Sequence, residues 1–466
     1  MTIPDRFPAV LAATAMGVYL LLVVGATTSL TEAAAACGGW PACGDGTGLP
    51  ASPGGWIALG HRLIAAVVGV LVVTSAGLAW RTGVSRRIRA ALAGALLLYP
   101  VQAAVGALVA TGALPAALGP LHLLFGVIIF GAVLAGLAWW LEAETGDDDA
   151  PVDFDLGTDD LPPVEDAPEP EIPTATLPRL RATAAAYFRL MKPRLMWLLC
   201  LVAAAAMALA GGSGFTPYAV GATLAGGALS IGASGTFNHV LERDVDKRMQ
   251  RTSDRPLATD LVPVPNALAF GGLLTVVSLG LFWSVNPLTA ALGLVAIVFY
   301  SVVYTLVLKP NTVQNTVIGG AAGALPALIG WAAVTGTVGG GGLLLALVIF
   351  LWTPAHFYNL ALAYKDDYER GGFPMMPVVR GETATRRHIV WYLGATLVAA
   401  VALAAAADPL GVLYAAVGVA LGAVFLWTVV RLHYEQTEAA AFRAFHASNA
   451  YLGLLLFAVV FDALLV

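Results

Sequence analysis

The chain has 466 residues, of which 59% are hydrophobic and 11% are charged, and its formal net charge is −5. So few charges and a mean hydropathy of +0.81 exclude a soluble globular protein of this length. The composition therefore predicts an all-α polytopic protein whose surroundings are the lipid bilayer, with no nucleic acid as a partner.

Four apolar runs precede residue 142, and each is long enough to cross a bilayer, which takes roughly 20 residues. They lie near 8–31, 58–80, 88–112 and 120–141. No small-residue cleavage site marks the first run as a signal peptide, so we expect it to be retained as a helix. Residues 1–141 are thus predicted to form a four-helix transmembrane bundle.

Two histidines and two cysteines stand out in this half. His61 and His122 fall near the predicted external ends of the second and fourth runs, where two imidazoles at similar depth could ligate a heme from both sides. The alternative is that each packs in the bundle. Cys37 and Cys43 lie in the loop between the first two runs, where a disulfide is permitted and a metal site is the alternative.

A highly acidic segment divides the chain. Residues 142–173 contain thirteen acidic residues, no basic ones and repeated proline. Such a segment cannot bury a core, so we predict a disordered linker over 142–178. The acidity is also typical of a salt-adapted prokaryote, such as a haloarchaeon, and the linker makes residues 1–141 and 179–466 separate predicted domains.

Nine more apolar runs follow the linker, which brings the predicted total to about thirteen. Lys and Arg accumulate on the cytoplasmic side of membrane proteins, and the segment 81–89 holds four Arg whereas 32–57 holds none. The N-terminus and the charged loops 239–258 and 365–387 are therefore predicted to lie on the cytoplasmic side of the cell membrane. The nine runs lie near 195–212, 216–237, 262–284, 288–308, 313–335, 341–363, 389–408, 409–430 and 449–466.

The densest charge in the chain directly follows one of these runs. Asn238, Glu242 and Asp246 are four residues apart, so on a helix they share one face. Oxygen ligands on one face suit a hard divalent cation such as Mg²⁺. Cations beside them suit a substrate that carries several phosphate charges. These cations are Arg243, Lys247, Arg251 and Arg255.

A second charged cluster follows the run that ends near Ala363. Asp366 and Asp367 sit beside Lys365, at the same predicted edge of the membrane as the first cluster. Two acidic motifs on facing helices could each hold a Mg²⁺ and clamp a diphosphate between them. The alternative is that both clusters are merely solvated, positive-inside loops.

The two clusters resemble those of a known family. The pattern Asn238-x-x-x-Glu242-Arg-Asp-Val-Asp246 is similar to the first aspartate-rich motif of the UbiA superfamily of intramembrane prenyltransferases, with Glu242 where that family commonly has Asp. Its Met-x-Arg-Thr continuation is similar to the form found in heme O synthases, which are protoheme IX farnesyltransferases. The resemblance covers about residues 180–466 and includes Lys192–Arg194, Trp352–Phe357 and Asp367–Pro377.

The resemblance implies a nine-helix UbiA-type bundle that transfers farnesyl from farnesyl diphosphate to a vinyl group of protoheme IX (heme B). The product is heme O, used for terminal oxidases, and a dry apolar cavity protects the allylic cation. One Mg²⁺ is expected at Asn238, Glu242 and Asp246, and another at Asp366 and Asp367. His356 is expected either to approach the heme or to pack. Expected diphosphate contacts are Arg243, Lys247, Arg251, Arg255, Lys365, Lys192 and Arg194.

The N-terminal half resembles half of a heme A synthase over about residues 8–141. The resemblance rests on His61-Arg62 at a helix start and on the paired cysteines of the loop. That family usually has Glu three residues before the His, where this chain has Ala58, so heme A formation is not implied. The resemblance implies that His61 and His122 bind heme. The alternatives are that this half delivers the heme substrate to the transferase, pairs with a second half in a dimer, or is a decayed module. A heme A synthase or a terminal oxidase is the expected assembly partner.

Two other functions compete with heme farnesylation. The same diphosphate site could prenylate a quinone precursor or another lipid acceptor, although the segments Met249–Thr252 and Trp352–Phe357 favour heme. A membrane heme carrier would explain the histidines of the N-terminal half, but it leaves both charged clusters without a purpose. No residue in the sequence fixes the length of the prenyl chain.

Overall fold

The computed structural model describes residues 3–30, 37, 39–41, 43, 50, 52–115, 119–146, 175–407 and 410–465. All of the regular structure in these residues is helical, which confirms the predicted all-α class. Residues 147–174, the greater part of the predicted acidic linker, lie outside the described residues.

Four long helices form the N-terminal part, as predicted. They are α1 (Ile3–Leu30), α2 (Pro53–Arg81), α3 (Arg86–Ala110) and α4 (Gly119–Thr145). Helix α4 continues to Thr145, beyond the predicted start of the linker. There Glu142 forms ion pairs with two arginines of other helices, Arg87 at 3.1 Å and Arg387.

The remaining helices begin at residue 176, and the long ones alternate with short segments that carry the charged motifs. They are α5 (Thr176–Leu190), α6 (Pro193–Ala210), α7 (Pro217–Leu241), α8 (Arg243–Asp246), α9 (Val264–Val285), α10 (Pro287–Val298), a π-helix (Phe299–Leu308), α11 (Lys309–Asn311), α12 (Asn315–Thr335), α13 (Gly340–Ala363), α14 (Lys365–Arg370), α15 (Met376–Val379), α16 (Glu382–Ala406), α17 (Val412–Glu435) and α18 (Glu438–Leu465).

Among the described residues, 12 helical segments are long and apolar enough to cross a membrane, with α10, the π-helix and α11 counted as one. The thirteenth predicted span is α7, whose 25 residues suffice in length. It is not among the 12 because Gly, Ser and Thr lower its hydropathy. The last span differs most from its predicted limits, since α18 begins at Glu438 and not near residue 449.

By contacts, the chain forms two compact units. One comprises Met1–Asp148 and Arg386–Ala458, and the other comprises Asp149–Thr385 and Val459–Leu465. The first unit therefore contains α1–α4 with all of α17 and most of α16 and α18. Both charged motifs belong to the second unit.

Small residues allow the helices of the second unit to approach closely, as is common in membrane proteins. In α7, a Cβ placed on Gly235 would lie 2.9 Å from the carbonyl oxygen of Leu190. In α12, a Cβ on Gly330 would lie 2.2 Å from the carbonyl oxygen of Ala203 in α6. The first contact brings α7 against the end of α5, and the second brings α12 against α6.

Candidate active site

Three predicted metal ligands lie buried at the end of α7. Asn238, Glu242 and Asp246 are 2%, 6% and 2% exposed. Although α7 ends at Leu241, the helical register continues, since the amide of Glu242 donates to the Asn238 carbonyl at 2.9 Å and that of Asp246 to the Glu242 carbonyl at 2.8 Å. The spacing of four residues therefore keeps the three side chains on one face, as the sequence predicts.

Arg255 binds the two carboxylates of this face. Its Nη1 lies 2.7 and 2.8 Å from the two oxygens of Asp246. The same nitrogen lies 3.9 Å from Glu242. Because one guanidinium reaches both acids, their oxygens must converge on a small volume that is largely closed to solvent.

Lys309 balances the charge of Glu242 from the other side. Its Nζ lies 2.6 Å from Glu242 Oε1, and it sits 4.1 Å above the ring of Phe373. Burial raises the pKa of the Glu242 carboxyl, but the charges of Lys309 and Lys192 outweigh burial and hold it below its usual range. Glu242 is therefore ionised in the site.

Lys192 connects the site to the π-helix. It adopts the left-handed backbone conformation, with φ 54°, between α5 and α6. Its amine donates to Asn238 Oδ1 and lies 3.3 Å from the Tyr300 hydroxyl. Burial and the nearby charge of Arg255 lower the pKa of Lys192 to about 7. Strained backbone often marks functional positions, and here it brings a cation beside the predicted metal ligands.

The π-helix supplies groups that sequence analysis missed. Asn238 Nδ2 donates to Thr305 Oγ1 at 3.1 Å, and Thr305 donates to the carbonyl of Tyr300 at 2.9 Å. The same segment ends next to Lys309. Segments of π-helix occur frequently at functional sites, but an apolar run with two tyrosines and a threonine gives no signal for one. Lys309 carried a weak signal, as a lone cation after an apolar run.

Asp367 joins the second charged motif to the first. Its two carboxylate oxygens accept the main-chain N–H groups of Gln250 at 2.7 Å and Arg251 at 3.1 Å. Arg251 then lies over Tyr364 and Tyr368, and its Nη2 is 3.3 Å from the Tyr368 hydroxyl. Asp367 therefore fixes the loop that carries Arg251, whereas Asp366 is exposed.

An Asp367→Ala variant should lower the free energy of unfolding by about 2 kcal/mol, because two main-chain donors lose a charged acceptor. Thermal unfolding of the purified protein in detergent would measure the loss. Asp366→Ala is the matched control, since the neighbouring carboxylate is exposed and should leave stability unchanged. Equal stability of the two variants would contradict the joining role of Asp367.

Several predicted phosphate contacts lie apart from this face. Arg243 and Lys247 are directed to Asp260, at 4.0 and 3.3 Å, and Arg194 is exposed. Lys365 pairs with Glu382 at 3.2 Å. The cations that the structure brings to the buried carboxylates are therefore Lys192, Arg255 and Lys309.

His356 stacks on Trp352, with ring centroids 4.2 Å apart and an angle of 13° between the planes. The two residues are one turn apart in α13, so the stack is local to that helix. It gives the imidazole a packed position, which is one of the two roles expected for it.

An apolar cavity begins beside the charged groups. Lys192 and Tyr300 line its charged end, and it continues between α6, α7, α10 and α12. The side chains that line it are mostly aliphatic. A substrate with a diphosphate head and an apolar tail has matching surroundings for both parts.

The N-terminal histidines lie in the other unit. His122 Nδ1 is 3.0 Å from the Gln102 carbonyl, and a Cβ on Gly106 would lie 2.7 Å from His122 Cε1. His61 Nδ1 is buried and has no hydrogen-bond partner among the described residues. The two imidazoles are close enough to interact electrostatically.

A disulfide joins Cys37 and Cys43, which is one of the two outcomes that the sequence permits. The bridge packs against Ala58 and Leu59 in a buried cluster. Arg62 fastens the loop by donating to the carbonyl of Gly39 at 2.8 Å. The disulfide and Gly39 are thus held against α2, next to His61.

Oxygen donors at the buried face fit a hard divalent cation. No group of three His, Cys, Asp or Glu side chains comes together in the described parts of the chain, because the predicted set joins two carboxylates with an amide. Amide and carboxylate oxygens are nevertheless the ligands Mg²⁺ takes, and it usually shares them with substrate phosphates. The residues present therefore fit Mg²⁺.

Comparison with known proteins gives consistent matches. The model of the UbiA prenyltransferase family matches residues 198–453. Protoheme IX farnesyltransferase 1 of Natronomonas pharaonis is 65% identical over 467 residues, covering 99% of both chains. Protoheme IX farnesyltransferase 1 of Saccharopolyspora erythraea is 44% identical over 301 residues, covering 64% of this chain and 94% of that protein.

A solved structure of a UbiA homolog from Archaeoglobus fulgidus bound to GPP and Mg²⁺ has a TM-score of 0.45 and 18% identity. It covers 59% of this chain and 99% of that one. The family match spans more than half of the chain, and the identity to the Natronomonas relative extends from end to end. The chain therefore belongs to the UbiA prenyltransferase family of membrane enzymes.

Proposed function

We propose that the protein transfers a farnesyl group from farnesyl diphosphate to the vinyl group of protoheme IX, giving heme O. The observation that carries the proposal is the buried face of Asn238, Glu242 and Asp246. Its carboxylates form ion pairs with cations, and an apolar cavity begins beside it. The names of the relatives supply the acceptor, since both are protoheme IX farnesyltransferases.

The reaction breaks the C1–O bond of farnesyl diphosphate, and the bonding electrons leave with the diphosphate. The vinyl group supplies the electron pair of the new C–C bond to C1. Water captures the cation left on the former vinyl group and loses a proton, which produces the hydroxyl of heme O. Departure of the diphosphate needs control of the charge that grows on it, and water must be kept from C1 until the new C–C bond has formed.

The residues divide these tasks. Lys192, Arg255 and Lys309 would bind the diphosphate and favour the charge that grows on it. Asn238, Glu242 and Asp246 would hold one Mg²⁺, and Asp366 with Asp367 a second. Bound Mg²⁺ supplies further neutralisation of the departing diphosphate. The aliphatic walls of the cavity keep water from the allylic carbon.

We place this site on the cytoplasmic side of the membrane, because Lys and Arg accumulate at the same predicted edge. A substrate made in the cytoplasm would then reach it without crossing the bilayer. The product would pass to a heme A synthase or a terminal oxidase, which are the partners we expect.

The first test is to incubate the purified protein in detergent with heme B, farnesyl diphosphate and Mg²⁺, and to measure the mass of the extracted heme. We expect a gain of one hydroxyfarnesyl group that a chelator prevents. If the heme is unchanged and a quinone precursor is prenylated instead, the protein is a prenyltransferase whose acceptor is the quinone precursor. If neither compound is modified, the proposal fails.

We propose in addition that the N-terminal unit binds heme through His61 and His122. A histidine that ligates iron usually donates its other ring N–H to a carbonyl, and His122 Nδ1 has that partner in Gln102. His61 Nδ1 is a buried nitrogen without a partner among the described residues. Bound heme would occupy a site distinct from the substrate site.

Double replacement of His61 and His122 by alanine should therefore abolish the absorption band of heme that stays with the purified protein. The transferase reaction should continue, since neither histidine belongs to the unit that carries the diphosphate site. The control is Gln102→Ala, which retains the carbonyl that His122 contacts. Unchanged heme content in the double variant would contradict the ligand assignment.

A further inference from the structure

The apolar cavity extends from the proposed diphosphate site along α6 and α7. Lys192 and Tyr300 line the charged end, and Ala203 and Thr223 line the other. From Lys192 to Ala203, helix α6 rises about 16 Å, which is comparable to an extended chain of three isoprene units. The volume of the cavity is about 80 Å³, and most of its lining is apolar.

Phe282 lines the end of the cavity that lies away from Lys192. It belongs to the last turn of α9, lines the cavity and is 0% exposed. Its ring packs in one cluster with Ile329 of α12. Directly beside Ile329, Gly330 lies against the carbonyl of Ala203, so α6 and α12 leave no exit at this point.

Two glycines hold the Phe282 ring from opposite edges. A Cβ on Gly226 of α7 would lie 2.9 Å from Phe282 Cε1, and one on Gly293 of α10 would lie 2.4 Å from Cδ2. A side chain at either position would collide with the ring, so the two glycines let α7 and α10 pack directly against it. Because interiors are densely packed, a longer substrate cannot push the ring aside.

We propose that Phe282, fixed between Gly226 and Gly293, sets the maximum length of the prenyl chain at three isoprene units. This inference rests on the proposed function, since it assigns the cavity to the prenyl group. The fourth unit of a geranylgeranyl chain meets the ring, whereas a farnesyl chain ends before it. Phe282 is thus a specificity-determining residue for the donor.

The test offers equal amounts of farnesyl and geranylgeranyl diphosphate with heme B and Mg²⁺, and measures the ratio of the two heme products by mass. Phe282→Ala should raise the ratio of the longer product to the shorter by at least about tenfold, because even one methylene changes selectivity by that factor. Phe282→Leu should raise it less. Leu199→Ala is the matched control, since Leu199 lines the side of the cavity and its loss adds width without length.

The ratio is read only in variants that elute as one species in detergent. Ile329→Ala opens the same end from α12 and serves if the Phe282 variants do not fold. If Phe282→Leu and Ile329→Ala make heme O with the same ratio of the two products as the unaltered protein, the length assignment is wrong and the proposed function still stands. If the unaltered protein prenylates no heme with the farnesyl donor, the proposed function fails, and the length assignment fails with it.

Discussion

An Asp246→Asn variant should prenylate heme about a thousandfold more slowly than the unaltered protein, which corresponds to about 4 kcal/mol of lost transition-state stabilisation. The change keeps the shape of the side chain but removes one of two buried carboxylates beside Arg255. The rate of heme O formation, followed by mass at saturating Mg²⁺, measures the effect.

The neighbouring acid offers a matched control. Asp244 belongs to the same short helix, but its side chain is 81% exposed and forms an ion pair with Arg243 at 3.5 Å. Asp244→Asn should therefore react at close to the normal rate. Both variants should show similar thermal unfolding, because Glu242 is near enough to Arg255 to keep its charge compensated. Equal rates for the two variants would remove the buried face from the mechanism.

A Lys309→Met variant should lose about a hundredfold in rate, as expected when one preorganised charge is removed from a water-poor site. Loss of Lys309 takes away a main cause of the low pKa of Glu242 and leaves burial to raise it. The pKa of Glu242 therefore rises, and the remaining activity should recover as pH increases. The rate of heme O formation between about pH 5 and about pH 9, a range that begins just above the ordinary pKa of Glu, gives the measurement.

Lys309→Arg should retain most of the rate, since it keeps the positive charge, and its pH profile should match that of the unaltered protein. Arg380→Met removes an exposed cation after the second motif and should change neither quantity. If Lys309→Met loses activity with an unchanged pH profile, the pairing with Glu242 is not the reason for the loss.

The first charged face was predictable because its information is local. A helix that continues from α7 into α8 places residues four apart on one side, so Asn238, Glu242 and Asp246 meet whatever the rest of the chain does. Hydropathy likewise predicted the long helices, since each needs only its own run of apolar residues. The same holds for α7, which was predicted near 216–237 although its many small residues lower its hydropathy and permit close packing.

The partners of that face were less predictable. Lys309 reaches Glu242 across 67 positions of sequence, and nothing local marks which distant cation will be chosen. The π-helix also has no signature in a pattern read at 3.6 residues per turn. Its hydrogen bond from Asn238 to Thr305 depends on how α7 packs against it.

The two acids of the second motif show the same limit. Asp366 and Asp367 are equivalent in the sequence pattern, yet Asp366 is exposed and Asp367 accepts hydrogen bonds from the main chain of residues 250 and 251. A contact across more than a hundred residues decides the difference.

The membrane setting, the helical class and the carboxylate face follow from composition and helical periodicity, which act over short stretches of chain. Which cations contact the carboxylates, and which side chains line the far part of the cavity, depends on how distant helices pack. Phe282 is one apolar residue among many in the sequence. Its ring lines the cavity in a fixed position because α7 and α10 place glycines on both sides of it. Such close approaches depend on the packing of whole helices, which no local pattern records.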